Sequence, residues 1–580
     1  ATETAKRLDN DPHFCEGGLL RGVPLSIKEC FHVAGGKSTL GMTTPAVEHP
    51  SDGPLVARLR QAGGVVLGLT NVPQLMIIHE TCNPVFGTTH NPWNVDRSVG
   101  GSSGGEAAIL AAGGTALGLG SDLGGSIRLP SHFCGIAGLK PTSRRLVRSG
   151  AVENLRGMSW LEFQPGPMAR HVADLRLAMQ VLSRRDPQTK WDEAEDPPLG
   201  FSDHGPIDIA QLRIGVYDDD EFFPPCPAVR RAIAEGATGL KAQGATIVPL
   251  PPPRTLEVLK SYFAIASADG GKDFRRMLKG SKLDPEVARL VRLAAMPRWL
   301  RPLVAMLALK PFRKRKMASL FQASGPRSAN SLWQITYEAA QQVGEIFQTW
   351  DAANVDVVLC PTHATPALKR NYAVDMMPAA SYSVVMNLLG VPCGNVPATR
   401  VQPEEETDRE TKSDASYRLA KSVELGSTGL PVGVQVAGRF WREDQVLAVM
   451  EALESHYRQR GEQFACKYLR RRGYTIVATQ DRSRLGEIDI IAVQDRTIVF
   501  VEVKTRAAEE KGSPDEAVNR DKQQRLTRAA LAYMRRHDLL GNCPARFDVI
   551  AIVWPAHQRT PEVRHFENAF EPTGQFQMFS

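Results

Sequence analysis

The sequence predicts an α/β layered fold with a largely buried sheet. Three observations carry this. Apolar, strand-like runs alternate with stretches of helical periodicity. Several of the runs, such as VVLGL (65–69) and DVVLCP (356–361), are apolar without alternation, as strands covered on both faces are. Hydrophobic residues make up 42% of the chain and charged residues 23%, the balance of a protein that buries a core. With 580 residues the chain exceeds one ordinary domain, and two to four are expected.

Taken in order, Ala1, Ala5 and Leu8 open the chain in a helical pattern, which is compatible with a preceding segment, an anchor included. Residues 22–33 (GVPLSIKECFHV) read as a strand ending in a charged turn, and Leu55 to Leu69 as a helix followed by a buried strand. Residues 98–142 form a long Gly/Ser/Ala tract. Residues 212–250 read as a βαβ unit: LRIGVY, a helix from Ala228 to Gln243 whose apolar face carries Val229, Ile233 and Leu240, then ATIVPL. Further strands are expected at 356–361 and at VGVQVAG (432–438), and a solvated loop at 402–416 (QPEEETDRETKSDAS). Near residue 460 the pattern restarts with a helix (Glu462 to Arg472), a strand pair around 474–504 and a helix after Asp515. This places a boundary between a domain at 1–459 and another at 460–580.

The formal charge of +7 is small for this length and does not by itself point to nucleic acid. The nine cysteines form no CxxC, and an odd count without metal spacing reads as reduced, buried thiols in a reducing, cytoplasmic compartment. No run of about 18 apolar residues marks a spanning helix, and no signal peptide is present.

The tract from Gly100 to Pro130 reads GGSSGGEAAILAAGGTALGLGSDLGGSIRLP. A flexible linker would not alternate glycines with a helix-forming segment (Glu106 to Ala112) and a small-residue strand (Ala116 to Gly120). The GxxxxGK[ST] pattern of a phosphate loop is absent. Acyl transfer suits these residues better, because it needs a nucleophile, a base and donors for an oxyanion. Ser126 follows Gly124-Gly125, whose backbone freedom lets the N–H groups of Leu123, Gly124, Gly125 and Ser126 turn inward as a nest for an anion. His79, His90 and His132 form no triad pattern and read as hydrogen-bonded structural residues. Lys28 is the candidate base, since a lysine in a dry site among hydroxyls loses its charge readily. Ser102, in the Gly-Ser-Ser-Gly turn, is the candidate proton relay between Lys28 and Ser126. Taken alone, Lys28 also reads as a surface lysine at a strand end.

The stretch GGSSGG…GLGSDLGGSIRLPSHFCGIAGLKPT, with GVPLSIKECF, resembles the amidase-signature family over about residues 1–459. The resemblance implies a large mixed central sheet flanked by helices, and a Ser–cisSer–Lys triad at Ser126, Ser102 and Lys28. It implies hydrolysis through an acyl-enzyme, with no metal or organic cofactor. His132 departs from the family pattern, in which a small residue is common, and is expected near the site. Within the family the chain is similar to the fatty acid amide hydrolases, on NVPQLMI (71–77), NPVFGTTHNPW (83–93), GPRSANSLW (325–333) and SYSVVMNLLGVP (381–392). The implied substrates are fatty acid primary amides or N-acyl amines. A short-chain or aryl amidase and an amidotransferase-type subunit are the alternatives.

Residues 289–321 bear on that choice. Nine basic residues and no acidic one fall between Arg289 and Lys316, among leucines, methionines and Trp299, with Pro297, Pro302 and Pro311 breaking the segment into short helices. Short apolar helices with a basic rim suit the surface of an anionic bilayer, with Trp299, Leu303 and Phe312 toward the acyl layer and Arg292 toward phosphates. The same residues also read as core helices with solvated cations. Their position, near 284–323, matches the membrane cap of fatty acid amide hydrolases, so peripheral contact with the inner face of a membrane is expected. A homodimer is a further expectation.

Residues 460–580 carry GEIDIIA (486–492) and VFVEVKTR (499–506), so Asp489, Glu502 and Lys504 fit a D…ExK pattern. Two carboxylates would hold Mg²⁺, and the lysine would orient water. With RGEQFACKYLRRRGY, SPDEAV and RFDVIAI these segments resemble the YraN-like family, which implies a restriction-endonuclease-like α/β fold. From residue 460 on, 20 Lys/Arg stand against 16 Asp/Glu, so nucleic acid is neither required nor excluded as a partner of this part. A Mg²⁺-dependent nuclease is the rival reading from another class.

Overall fold

The computed structural model describes residues 1–152, 157–158, 160–184, 201, 205–306, 315–410, 414–483, 486–506, 520–553 and 562–572. They divide into two compact units, Ala1–Val401 with Glu405–Glu454, and Gln402–Glu404 with Ser455–Ser580.

The first unit is built on a mixed sheet of ten strands: β1 (Pro24–Lys28), β2 (Val65–Thr70), β3 (Leu117–Asp122), β4 (Ala137–Lys140), β5 (Gln164–Ala169), β6 (Arg213–Val216), β7 (Thr246–Pro249), β8 (Val357–Pro361), β9 (Cys393–Arg400) and β10 (Pro431–Gly438). In space they run β7-β6-β8-β10-β9-β4-β5-β3-β1-β2. Each end of the sheet is a parallel block, β7-β6-β8 and β3-β1-β2, and the strands between them pair antiparallel. The βαβ unit expected at 212–250 is the first of these ends, with its helix at Pro227–Ala242. Strands β8 and β10 are buried along their whole length, as their unbroken apolar runs require.

Small residues decide how the Gly/Ser tract packs. Helix Gly104–Ala111 lies against β3, where a Cβ added at Gly118 would sit 2.2 Å from Glu106 Oε2. Val99, Ala107, Leu110, Ile127 and Met168 form one buried cluster that ties this helix to the segment Arg128–Cys134. The serines of the Gly100–Pro130 tract, Ser102, Ser103, Ser121 and Ser126, are thereby buried.

The loop expected to be solvated at 402–416 is largely engaged instead. Arg409 is buried against Glu424 (Nε–Oε1 2.6 Å), Glu405 bonds Arg231 (Oε2–Nη2 2.9 Å), and Asp414 caps the helix Ala415–Glu424. The charged composition hid these partners; that of Glu405 comes from a distant part of the chain, Arg231. The segment 284–323 folds as helix Pro285–Ala295, a short 3₁₀ turn at Arg298–Leu300, and helices Arg301–Val304 and Arg315–Ala323. Among the described residues no helix is long and apolar enough to cross a membrane.

The second unit holds a five-stranded sheet in sequential order: β11 (Thr475–Ser483), β12 (Gly486–Gln494), β13 (Thr497–Arg506), β14 (Ala545–Val553) and β15 (Glu562–Phe566). Only β13 and β14 pair in parallel. Helix Arg520–Arg536 packs on it through Leu526, Ala530 and Met534. The helix expected from Glu462 belongs to a longer one, Glu443–Arg471, because no proline interrupts the segment.

Candidate active site

Lys28 ends β1, between β2 and β3, and is fully buried. Its Nζ donates to Ser102 Oγ (2.8 Å), Ser121 Oγ (2.9 Å) and Ser121 O (3.3 Å). Burial pushes the amine down to about 8, partly offset by Cys30, Asp122 and Glu106. The surface-lysine reading is therefore excluded. The Gly101–Ser102 peptide is cis, as the resemblance implied.

Ser126 stands on the turn after β3 and is 7% exposed. With Ser102, Ser121, Cys30 and Met76 it lines a small cavity of about 20 Å³, and it also opens onto a larger one of about 220 Å³. Among the described residues no hydrogen bond joins the Ser102 and Ser126 hydroxyls; they meet by facing the same small cavity. The larger cavity is walled mainly by apolar side chains, among them Ile77, Phe263, Leu290, Leu293, Leu320 and Phe321. It reaches from Ser126 to the segment at 285–323.

The turn is held by a pair that sequence reasoning missed. Asp122 and Arg128 are both fully buried. Arg128 Nε bonds Asp122 Oδ2 (3.0 Å) and Nη2 bonds Oδ1 (2.9 Å), while Nη1 donates to Gln435 Oε1 (2.6 Å) and Ser383 O (3.0 Å). Asn387 Nδ2 adds a third bond to the carboxylate (2.9 Å). Burial opposes the charge on Asp122, but Arg128 and Asn387 hold its carboxyl well below the usual range. The signal was present in the motif as an Asp and an Arg six apart in an otherwise uncharged stretch.

This pair corrects the expected anion nest. Gly125 N–H donates to Asp122 Oδ1 (2.8 Å), so it does not face the cavity. Its φ of 105° turns the chain there, and a side chain would meet Leu129 and Ser383. Among the described residues the N–H groups of Leu123, Gly124 and Ser126 make no hydrogen bond. Tyr262 Oη steadies the turn through Leu123 O (3.0 Å).

His132 does not shape the site. Its Nδ1 accepts from Gly433 N–H (3.0 Å), its Nε2 lies 3.1 Å from Thr365 O, and it lines neither cavity. His90 Nδ1 bonds Val95 O (2.9 Å). His79 does line the larger cavity, where burial pushes it down to about 4, so its ring is neutral beside Gly124.

Of the cap residues, Trp299 is 76% and Leu303 46% exposed, and Arg292 is exposed with Nε on Ala288 O (3.1 Å). Phe312 lies outside the described residues. The basic residues do not all form a rim: Arg301 is 1% exposed, donating to Met296 O (3.0 Å) and Phe321 O (2.8 Å), and Arg289 is bidentate to Asp375.

In the second unit Asp489 Oδ2 accepts from Val503 N–H (2.8 Å), and the buried Glu502 pairs with Lys522 (3.0 Å). Lys504 lies on β13 two residues beyond Glu502, and its side chain is outside the described set. Among the described residues no group of three or more His, Cys, Asp or Glu is placed to hold a metal ion, and an ammonium already bonds Glu502.

Residues 1–447 match the family model described as Amidase, and residues 461–552 match the one described as Uncharacterised protein family UPF0102. The chain is 38% identical over 460 residues to fatty-acid amide hydrolase 1 of Sus scrofa, covering 77% of this chain and 78% of that protein. It is 33% identical over 470 residues to fatty acid amide hydrolase 1 of Caenorhabditis elegans, covering 78% and 80%. A solved structure of fatty acid amide hydrolase superposes with a TM-score of 0.64 at 25% identity, over 78% of this chain and 77% of that one.

Proposed function

The chain belongs to the amidase family and is an amide-hydrolysing enzyme; from that premise we propose that Ser126 is the nucleophile, Ser102 the proton relay and Lys28 the base, acting on fatty acid primary amides or N-acyl amines. One observation carries the reading: a fully buried amine lies 2.8 Å from the hydroxyl of Ser102, which lines a small cavity together with Ser126. Neutral Lys28 takes the Ser102 proton while Ser102 takes that of Ser126. Ser126 Oγ adds to the carbonyl carbon, and the N–H groups of Leu123, Gly124 and Ser126 are the donors for the oxyanion. The proton returns through Ser102 to the nitrogen, which leaves as neutral amine or ammonia. Water then hydrolyses the ester to the acid and frees Ser126. Base and acid are both supplied by the relay, so the reading calls for no metal or organic cofactor.

The acyl preference is supported by the apolar cavity of about 220 Å³ beside Ser126 and by the names of the relatives. The cap is read as a membrane-facing surface on exposed Trp299, Leu303 and Met306. A fluorophosphonate probe mapped by peptide sequencing is expected on Ser126, and oleamide is expected to be cleaved with a higher kcat/KM than acetamide. Label on another serine sinks the triad, and a preference for acetamide moves the enzyme to the short-chain amidases.

A further inference from the structure

Arg301 is the one cationic side chain in the wall of the larger cavity among the described residues, and it is 1% exposed. No carboxylate lines that cavity, and its one imidazole, His79, is neutral. Arg301 Nε donates to Met296 O (3.0 Å), Nη1 to Phe321 O (2.8 Å), and Nη2 to Ala294 O (3.1 Å) and Leu293 O. A guanidinium carries one N–H more than these bonds use, and it is on Nη1. The Phe321 ring lies against the group, 4.7 Å from its carbon to the ring centroid. Gly325 leaves the room for it, since a Cβ there would sit 2.5 Å from Nε.

Carbonyls solvate this cation but do not neutralise it. Among the described residues no carboxylate is in ion-pair reach, and the charges acting on it are the like-signed Arg327 and Arg298. Burial, then these two, lower it to about 10, so it stays charged at neutral pH. Holding the end of helix Pro285–Ala295 accounts for the bonds to carbonyls at Leu293, Ala294 and Met296. It does not account for an uncompensated charge in the wall of a mainly apolar cavity, where a charge without a counter-ion is costly. We propose that Arg301 is an anion-recognition point on the cap side of this cavity, for a carboxylate carried at the end of an aliphatic chain. The apolar walls take the chain, and the guanidinium takes the carboxylate. Two sources have this chemistry: the ω-carboxyl group of a substrate amide, and the free acid that the reaction releases, bound with its head toward the cap.

The inference rests on Ser126 being the nucleophile and on the cavity taking the acyl chain. Its first arm compares kcat/KM for the monoamides of straight-chain dicarboxylic acids, adipic to tetradecanedioic, with that for their ω-methyl esters, on the full chain at neutral pH. A wholly apolar wall rejects a carboxylate, so any preference for the acid needs a cation. At the length that reaches Arg301 the acid is expected to be favoured by about tenfold. The second arm compares dodecanoic acid with its methyl ester as inhibitors of amide hydrolysis. A preference in the first arm identifies a substrate group, and one in the second arm alone identifies the product. Arg301→Gln removes the charge and is expected to bring either ratio to about one. Wild-type ratios of one or below at every length and in both arms overturn the proposal, as does a ratio that is unchanged in folded Arg301→Gln. If that variant does not fold, the wild-type ratios decide. Cleavage through Ser126 with no preference for the acid defeats the inference alone. Turnover that survives in Ser126→Ala would instead remove the nucleophile and this inference with it.

Discussion

The two units of this chain handle buried charge differently. In the second, Asp548 accepts from Arg546 Nε (2.9 Å), His565 Nε2 (2.9 Å) and Asn568 N–H (2.9 Å), and Arg546 goes on to Tyr474 Oη (2.8 Å) and Gln494 Oε1 (2.6 Å). That cluster bonds among its own members, leaving the buried His565 Nδ1 without a hydrogen-bond partner among the described residues. In the first unit the Asp122–Arg128 pair satisfies itself, but it does so by holding a turn whose next hydroxyl, on Ser126, faces two cavities. The difference teaches that a dense buried polar network is not a site. It becomes a candidate for one where it holds in place a hydroxyl that it does not itself bind.

The largest expected effect tests that distinction directly. Ser126→Ala should lower kcat for amide hydrolysis by about 10⁴-fold or more with the circular dichroism spectrum unchanged. Turnover near the wild-type rate would break the comparison. Next come the two arginines. Arg128→Met strands a buried carboxylate and should cost about 3–5 kcal/mol of stability in a denaturant melt, with kcat falling as well. Arg546→Met should destabilise while leaving kcat untouched, and a loss of kcat there would join the two clusters functionally.

A smaller change follows from Lys28. In the proposed relay its neutral form is the base, and burial brings it down to about 8, so kcat/KM should rise with pH through about 8 and then level. A flat profile between pH 7 and 9 would exclude it as the titrating base. Replacing Trp299 and Leu303 together by alanine should weaken binding to anionic vesicles by about tenfold or more in a sedimentation assay, with hydrolysis of a short soluble amide unchanged. Finally, Glu502→Ala should leave amide hydrolysis as it is; any loss would mean that the second unit contributes to the first unit's reaction.

Where a property depends on local pattern it was legible beforehand. The βαβ end of the sheet, the buried strands at 357–361 and 431–438, and the helix–strand alternation through the glycine tract all follow from periodicity. Ser102 and Ser126 came forward as candidates from the glycine-serine tract, whereas Lys28 taken alone also read as a surface lysine and was singled out by the resemblance to the amidase-signature family. The errors share a different cause. Gly125 was assigned to the anion nest because its backbone is free to turn, and only the position of the Asp122 carboxylate shows which way it turned. Arg301 was counted with a solvated rim, although carbonyls at Leu293, Ala294, Met296 and Phe321 take its donors inside.

By itself, then, the sequence determined the layered α/β architecture and the residue types from which an acyl-transfer site can be made. The tertiary structure alone decided which of them are buried, which N–H groups are left without a partner and which hydroxyls meet the lysine. The reason is the distance along the chain. Ser26 meets Glu106 across 80 residues and Arg128 meets Gln435 across 307, and no pattern read over a few turns of helix or strand can see contacts of that span.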